Sequence, residues 1–473
     1  MADEINHAAV TILDRCEVAP PPGSLPSTTL PLTFFDLPWF YCLPVQRIFF
    51  FNFPHSTNHF HHSALPKLKQ SLSLTLQHFF PFASNLIVPP QPHTVAAPYI
   101  RYLDGDSLPF TVAESSSNFN LLVSDSPQDV RNWHPLAPTL PSPRTEEDGT
   151  RVIPLMAIQV TILPNSGFSI CFTFNHLAAD GRSLHHFIKF WASVCKSETG
   201  DFASSTLSLP FHDRDRVKDP KGLKLIYLKE LQDPASQPME FAGLVRDVFA
   251  NKVRATLVLS RERVEKLKNW MIILSGLQRV STFIVTCSLV WVCLIRSEQS
   301  KGDGCVAKSN DQLCYLVFLA DCRDHPEISL PSTYFGNCLA TCIVALKRSE
   351  LVGENGIVEV AKAVQREIRN WKSDPLRNAE TLMSDYREVA KPDQSVLIVA
   401  GSPKLGVYET DFGWGKPKKS ESVHIDITGS ISLSDCRDNE GGIEVGLALE
   451  RIRMNNFINI LEQQFVDINV ACE

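Results

Sequence analysis

The stretch Phe168–Cys195, FSICFTFNHLAADGRSLHHFIKFWASVC, decides how the rest of the chain is read. Phe168, Ile170, Phe172 and Phe174 alternate with Ser169, Cys171 and Thr173, the period of two of a strand that buries one face. From Ser183 onward Leu184, Phe187, Ile188, Trp191 and Val194 recur at steps of three and four, so the pattern becomes an amphipathic helix. The joint between them carries His176 and Asp180. Such a joint holds an imidazole between two packed elements yet leaves it open to a substrate, which makes His176 a candidate general base. An unperturbed imidazole titrates near ~6.5 and can take a proton at neutral pH. The residue types alone equally allow a histidine satisfied at a strand end and an aspartate that only caps the helix.

Working outward, Leu155–Leu163 reads as a second strand, joined to the first through the turn formers Pro164, Asn165, Ser166 and Gly167, so the two are expected to form a hairpin. Gln46–Phe53 reads as a strand, and Ala64–His78 as a helix with Leu65, Leu68, Leu72 and Leu76 on one face. Later come a strand at Ala255–Leu259, a charged helix from Arg261, an apolar helix at Phe283–Ile295, a strand at Tyr315–Ala320 and an amphipathic helix at Gly356–Lys372. Interleaved strands and helices make this an α/β chain. Lys196–Lys224 turns Ser-rich and then charged, the composition of an exposed connection.

The chain has 473 residues, 44% hydrophobic and 21% charged, and a net charge of −7. That is long enough for two domains and carries no basic footprint for nucleic acid. The acidic start MADEINHAAV lacks a basic region followed by an apolar run, so no secretory signal is expected, and Phe283–Ile295 falls short of the ~20 residues needed to span a bilayer. Thirteen cysteines with no CxxC pair suggest free thiols in a reducing compartment, hence a cytoplasmic location. His55, His59, His61 and His62 read as a polar turn without nearby carboxylates or cysteines, so no metal is expected there. GxxxxGK[ST], GxGxxG and HExxH are absent, and Gly167–Cys171 lacks the closing glycine of a nucleophile elbow. Kinase, nucleotide-oxidoreductase and zinc-protease chemistry therefore have no motif behind them.

His176-Leu177-Ala178-Ala179-Asp180 matches the HxxxD motif, and Asp411-Phe412-Gly413-Trp414-Gly415 the DFGWG motif, of the plant BAHD acyltransferases, which this chain resembles over nearly its whole length. Tyr334-Phe335-Gly336-Asn337-Cys338 resembles the YFGNC signature of the subgroup that acylates sugars on anthocyanins, flavonoids and other phenolic glucosides, and Leu30-Pro31-Leu32-Thr33-Phe34-Phe35-Asp36 resembles a segment near the start of its malonyltransferases. The resemblance implies two similar α/β domains of mixed β-sheet flanked by helices, a chloramphenicol acetyltransferase-like fold with its active site at the domain interface. The domains would be 1–195 and 225–473, with a crossover at 196–224 and some exchange of chain. It also implies that His176 is the base, that Asp180 pairs with Arg323 of Ala320-Asp321-Cys322-Arg323, and that Asn337, Phe412, Gly413, Trp414 and Gly415 support the site. Asp411 is open to two readings, a second acid-base group or the anchor of a loop.

The co-substrate implied is an acyl-CoA, with no permanently bound cofactor; the other partner is a phenolic glycoside, and the protein is expected to be a monomer. Ser281 and Thr282 resemble the acyl-CoA-contacting segment of the malonyltransferases, and Lys266 and Lys268 are candidates for CoA phosphates. Malonyl carries a carboxylate, for which Arg182 is the candidate clamp through paired charged hydrogen bonds. Against this, Trp39-Phe40-Tyr41-Cys42 occupies a stretch where several malonyltransferases carry a histidine, and Phe40 and Tyr41 suit an apolar acyl pocket. Malonyl-CoA is the expected donor, hydroxycinnamoyl-CoA the alternative, and a non-catalytic binding protein the rival class.

Overall fold

In the computed structural model, which describes residues 9–90, 97–197, 208–232, 251–298, 309–391, 394–438 and 440–472, Gly167–Phe174 lies inside a six-stranded sheet. It pairs antiparallel with Met156–Leu163 on one side and with Val45–Asn52 on the other. Asn165 in the hairpin turn sits at φ 61°, a left-handed conformation that asparagine tolerates. Leu108–Ser115 and Val10–Val18 extend one edge of the sheet, and Lys419–Ser422, from far along the chain, forms the other. Every residue of the two hairpin strands is buried, so the alternation of Phe with Ser, Cys and Thr does not mark a solvent face. Phe172 packs against Phe187 and Trp191 of the helix Gly181–Lys196. On the opposite face Cys171 joins Ile48, Phe50 and Trp133, and the Thr173 hydroxyl donates to the Pro138 carbonyl at 2.6 Å.

A second sheet of seven strands runs in the order Leu339–Lys347, Leu313–Asp321, Ser395–Gly401, Ile431–Asp435, Ile443–Glu450, Lys252–Leu259 and Gln128–Asp129. Helices Thr282–Ser297, Gly356–Ser373 and Arg451–Cys472 pack into its core. Both sheets are mixed, with parallel pairs such as Leu108–Ser115 beside Met156–Leu163 and Leu313–Asp321 beside Ser395–Gly401. Each takes an edge strand from the other half of the chain, and buried charges mark that seam. Arg254 of the second sheet donates to Asp426 at 3.0 Å and to Glu421, in the first sheet's borrowed strand, at 3.2 Å. Buried guanidinium and carboxylates hold one another in place, because removing one partner would leave a charge stranded in apolar surroundings.

Two segments depart from expectation. The histidines at 59, 61 and 62 lie not in a polar turn but in the helix Thr57–Leu76, which starts well before Ala64 because Ser56 caps it, accepting from the His59 N–H at 3.3 Å. Rings of His55 and His59 are 4.6 Å apart, and no group of three or more His, Cys, Asp or Glu suited to a metal occurs among the described residues. In the connection after Lys196, residues 198–207 lie outside the described residues, but the charged run beyond them is not solvated throughout. Arg214 is buried, and the adjoining Phe211 bridges to Tyr334. No helix among the described residues is long and apolar enough to cross a membrane.

Candidate active site

His176 lies two residues beyond the strand's last residue, Phe174, and is held before the helix begins. Asn337 donates through Nδ2 to the carbonyls of His176 and Leu177, at 2.9 and 3.1 Å. Trp39 lies on the imidazole, ring centroids 3.9 Å apart and planes 20° from parallel. The ring's Nδ1 is buried, with its own backbone and Asn337 as the nearby polar groups. Burial is the largest influence on its pKa and lowers it below the ordinary histidine value, against the opposing pull of Asp180, Asn337 and Asp36. The ring is thus kept neutral near pH 7, the form a base needs.

Asp180 does both things left open by its residue type. Its Oδ1 accepts the Ser183 N–H at 2.9 Å, capping the helix Gly181–Lys196, and Oδ2 accepts the Cys338 N–H at 3.1 Å while facing the Arg323 guanidinium at 2.7 Å. Both side chains are fully buried. Arg323 also donates to the carbonyls of Tyr334 and Gly336, at 3.2 and 3.0 Å, so one ion pair ties the His176 turn to the segment Tyr334–Cys338.

Two residues with no role assigned from sequence complete this knot. Asp36 is buried and accepts from the Thr33 N–H and hydroxyl, both at 2.8 Å, from Asn337 Nδ2 at 3.1 Å and from Arg214 at 3.3 Å. Arg214 in turn donates to the Tyr334 hydroxyl at 2.8 Å. Asp36 thereby orients the amide that grips His176. Gly336 is needed where it stands: its φ is 143°, and a Cβ there would lie 2.1 Å from Nη1 of the buried Arg214. Gly336→Ala is expected to destabilise the fold by at least ~1–3 kcal/mol through overpacking, with backbone strain added. A melting temperature equal to the parent's would show that Arg214 has room to move.

Beyond Trp39 a cleft of about 140 Å³ opens, walled by Leu339, Ile343, Leu382 and Tyr386. Of the aromatic segment, Trp39 is the residue that meets His176; Phe40 packs edge-on against Tyr41, whose hydroxyl donates to the Leu231 carbonyl at 3.1 Å.

Of the two readings open for Asp411, the geometry of the DFGWG loop favours the loop anchor. Leu405 lies beside Gly181 at the start of the helix, Glu409 pairs with Lys189 at 2.7 Å, and Asp411 pairs with Lys196, its last residue, at 2.6 Å. At ~1.5 Å per residue that helix is about 24 Å long, which puts Asp411 some ~20 Å from His176. Its aromatic neighbours agree: Phe412 packs on Phe51 and Trp191, and Trp414 on Phe53 and Phe168, at the end of the strand remote from His176. Oδ1 of Asp411 accepts the N–H groups of Gly413 and Gly415, at 2.8 and 2.9 Å, and both glycines have positive φ. Burial pushes this carboxyl up, but Lys196 and the two N–H groups outweigh it and hold it below the usual carboxylate range. Asp411→Asn is expected to cost roughly 1 kcal/mol of stability and to leave the pH dependence of kcat as in the parent. A displaced pH profile in the folded variant would return Asp411 to the reaction.

Donor-binding candidates are scattered. The expected clamp Arg182 faces Asp321, its Nη1 2.8 Å away, and lies 3.5 Å from the exposed Asp324. Lys266 pairs with Glu262 at 3.1 Å and the partly buried Lys268 with Glu265 at 2.8 Å, both within the helix Arg261–Ser275. Ser281 caps the helix Thr282–Ser297, its hydroxyl accepting the Ile284 N–H at 3.3 Å.

Residues 8–464 match the Transferase family model. The chain is 41% identical to the coumaroyl-CoA:anthocyanidin 3-O-glucoside-6''-O-coumaroyltransferase 1 of Arabidopsis thaliana, an alignment covering 96% of this chain and 97% of that one. It is 37% identical to the malonyl-coenzyme A:anthocyanin 3-O-glucoside-6''-O-malonyltransferase of Dahlia pinnata, with 96% of each covered. Among solved structures, vinorine synthase superposes with a TM-score of 0.67 at 18% identity over 95% of this chain and 96% of that one. F. graminearum TRI101 complexed with coenzyme A and T-2 mycotoxin superposes with 0.65 at 13% identity, over 90% and 96%. Motif, fold and near full-length likeness converge, and the chain belongs to the BAHD family of acyl-CoA-dependent acyltransferases.

Proposed function

We propose that this protein transfers a hydroxycinnamoyl group, such as coumaroyl, from CoA to a sugar hydroxyl of an anthocyanin or related phenolic glucoside. The observation that carries the choice of donor is the engagement of Arg182 with Asp321 and Asp324. A malonyl carboxylate needs a cation in its pocket, and a guanidinium whose Nη1 already faces Asp321 makes a weaker clamp for it. An uncharged aromatic acyl group has no such requirement. The coumaroyltransferase named above, at 41% identity, supports the same reading.

In the reaction, Nε2 of neutral His176 takes the proton of the sugar hydroxyl as its oxygen attacks the thioester carbon. The C–S bond then breaks, and the imidazolium returns the proton to the departing CoA thiolate. CoA arrives already activated, so the protein's contribution is mainly alignment, and Asn337, Asp180 and Arg323 supply it by fixing the turn that holds His176. Asp411 acts as the anchor of the loop running along the helix. A panel of coumaroyl-, caffeoyl-, malonyl- and acetyl-CoA against one anthocyanidin 3-glucoside tests the proposal. It expects coumaroyl-CoA to have the highest kcat/KM, and a higher value for malonyl-CoA would overturn it.

A further inference from the structure

Resting on the reading of His176 as the base, we propose that Trp39 is a positioning residue of the transfer: its indole face fixes the plane of the imidazole and stabilises the imidazolium formed during the reaction. A histidine that takes up a proton needs a group to orient its ring and to answer the new charge, and a carboxylate on the second ring nitrogen is the usual one. Among the described residues no carboxylate does this. Asp180 directs Oδ1 to the Ser183 N–H, and Oδ2 to the Cys338 N–H and Arg323. Asp36 directs Oδ1 to Asn337, and Oδ2 to Thr33 and Arg214. Nδ1 of His176 is buried without such a partner.

What the imidazole has instead is aromatic neighbours. Trp39 lies 3.9 Å away between ring centroids with planes 20° from parallel, and Phe174 lies 6.2 Å away at 30°. The nearer ring is also the better partner for a cation, because the indole face is the most electron-rich of the aromatic side chains. Away from water, that attraction favours the charged imidazole by about tenfold. It opposes burial, which favours the neutral ring. Asp180 and Asp36 also favour the imidazolium through space, while His424, just past the strand Lys419–Ser422, would oppose it only when charged, and burial holds His424 neutral down to about 4. One residue places both rings of the stack. The Asp36 carbonyl accepts the Trp39 N–H at 3.1 Å in the short helical turn Leu37–Trp39, and its carboxylate holds the Asn337 amide that grips the His176 carbonyl. The ring plane is thereby kept while the proton passes from the sugar hydroxyl to Nε2 and on to the CoA thiolate.

The test measures kcat, KM and the pH profile in the parent, Trp39→Phe, Trp39→Leu and His176→Ala, with one anthocyanidin 3-glucoside and the acyl-CoA that the parent uses best. Trp39→Leu is expected to lower kcat about tenfold with KM for the acyl-CoA near the parent's, and to move the acidic limb of kcat/KM down by about one pH unit, because the imidazolium loses its aromatic face. Trp39→Phe keeps a weaker face and should fall between parent and Trp39→Leu in both respects. A limb that stays in place overturns the inference, and one that moves upward does so too, since the indole would then act only by keeping water from the ring. Parental kcat in the folded Trp39→Leu protein, or a loss confined to KM, has the same consequence. Thermal melting identifies the variants that fold, and Trp39→Phe carries the test if Trp39→Leu does not. Parental kcat in His176→Ala is a separate result that removes the base itself, whereas an inactive His176→Ala beside unaffected Trp39 variants overturns this inference alone.

Discussion

His176→Ala lowers kcat by about 10²–10⁴ in a protein that still folds, because the variant removes a positioned base, and its melting temperature falls only by the loss of the stack on Trp39. The pH dependence of kcat/KM in the parent gives a second handle. Burial lowers the His176 pKa, so the neutral ring persists to lower pH than for a free histidine, and the acidic limb of the profile should fall below ~6.5. The sign follows from which form is favoured: the folded protein disfavours the imidazolium, so activity is lost only as pH drops through that depressed value. An acidic limb above 6.5, or near-parental turnover in a folded His176→Ala protein, would remove this imidazole from the chemistry.

Asp180→Asn and Arg323→Met are each expected to cost about 3–5 kcal/mol, since each strands a buried charge whose partner stood 2.7 Å away. The double variant should be little worse than either single one, because the same interaction is removed only once. Asp321, 2.9 Å from Arg323, keeps some compensation in Asp180→Asn, so that variant should be the milder of the two. The loss also reaches the reaction: without the pair, the His176 turn and the Tyr334–Cys338 segment lose their common register, and kcat should fall along with stability. Thermal denaturation of the two single variants and the double one provides the measurement, and fully additive losses would show that the two residues act separately.

The strand-to-helix switch around His176 was readable because both elements bury periodic apolar faces, and periodicity is a local property. Asp180 was readable in both its roles, one from its residue type at a helix start and the other from a family pattern that placed an arginine beyond Ala320. The cap bond to Ser183 and the ion pair to Arg323 coexist because the two carboxylate oxygens point to different partners. The histidines at 59, 61 and 62 read as a turn for an equally local reason: a helix entered through a serine cap, with polar residues in its first turns, has a turn's composition, and the cap bond that starts it is a tertiary fact.

By itself, the sequence determined the α/β character, the His176 joint, the family motifs and the chemistry that those motifs carry. Only the tertiary structure decided which charges are free to act. Arg182 reads as an available cation, but a residue far along the chain, Asp321, sits 2.8 Å from it. Asp411 reads as a candidate acid, but the helix Gly181–Lys196 works as a ruler that holds it at the end remote from His176. Arg214 lies in a charged run that suits solvent, but Asp36 and the Tyr334 hydroxyl draw it inside. Charge acts through space at a few ångströms, and sequence spacing does not report those distances.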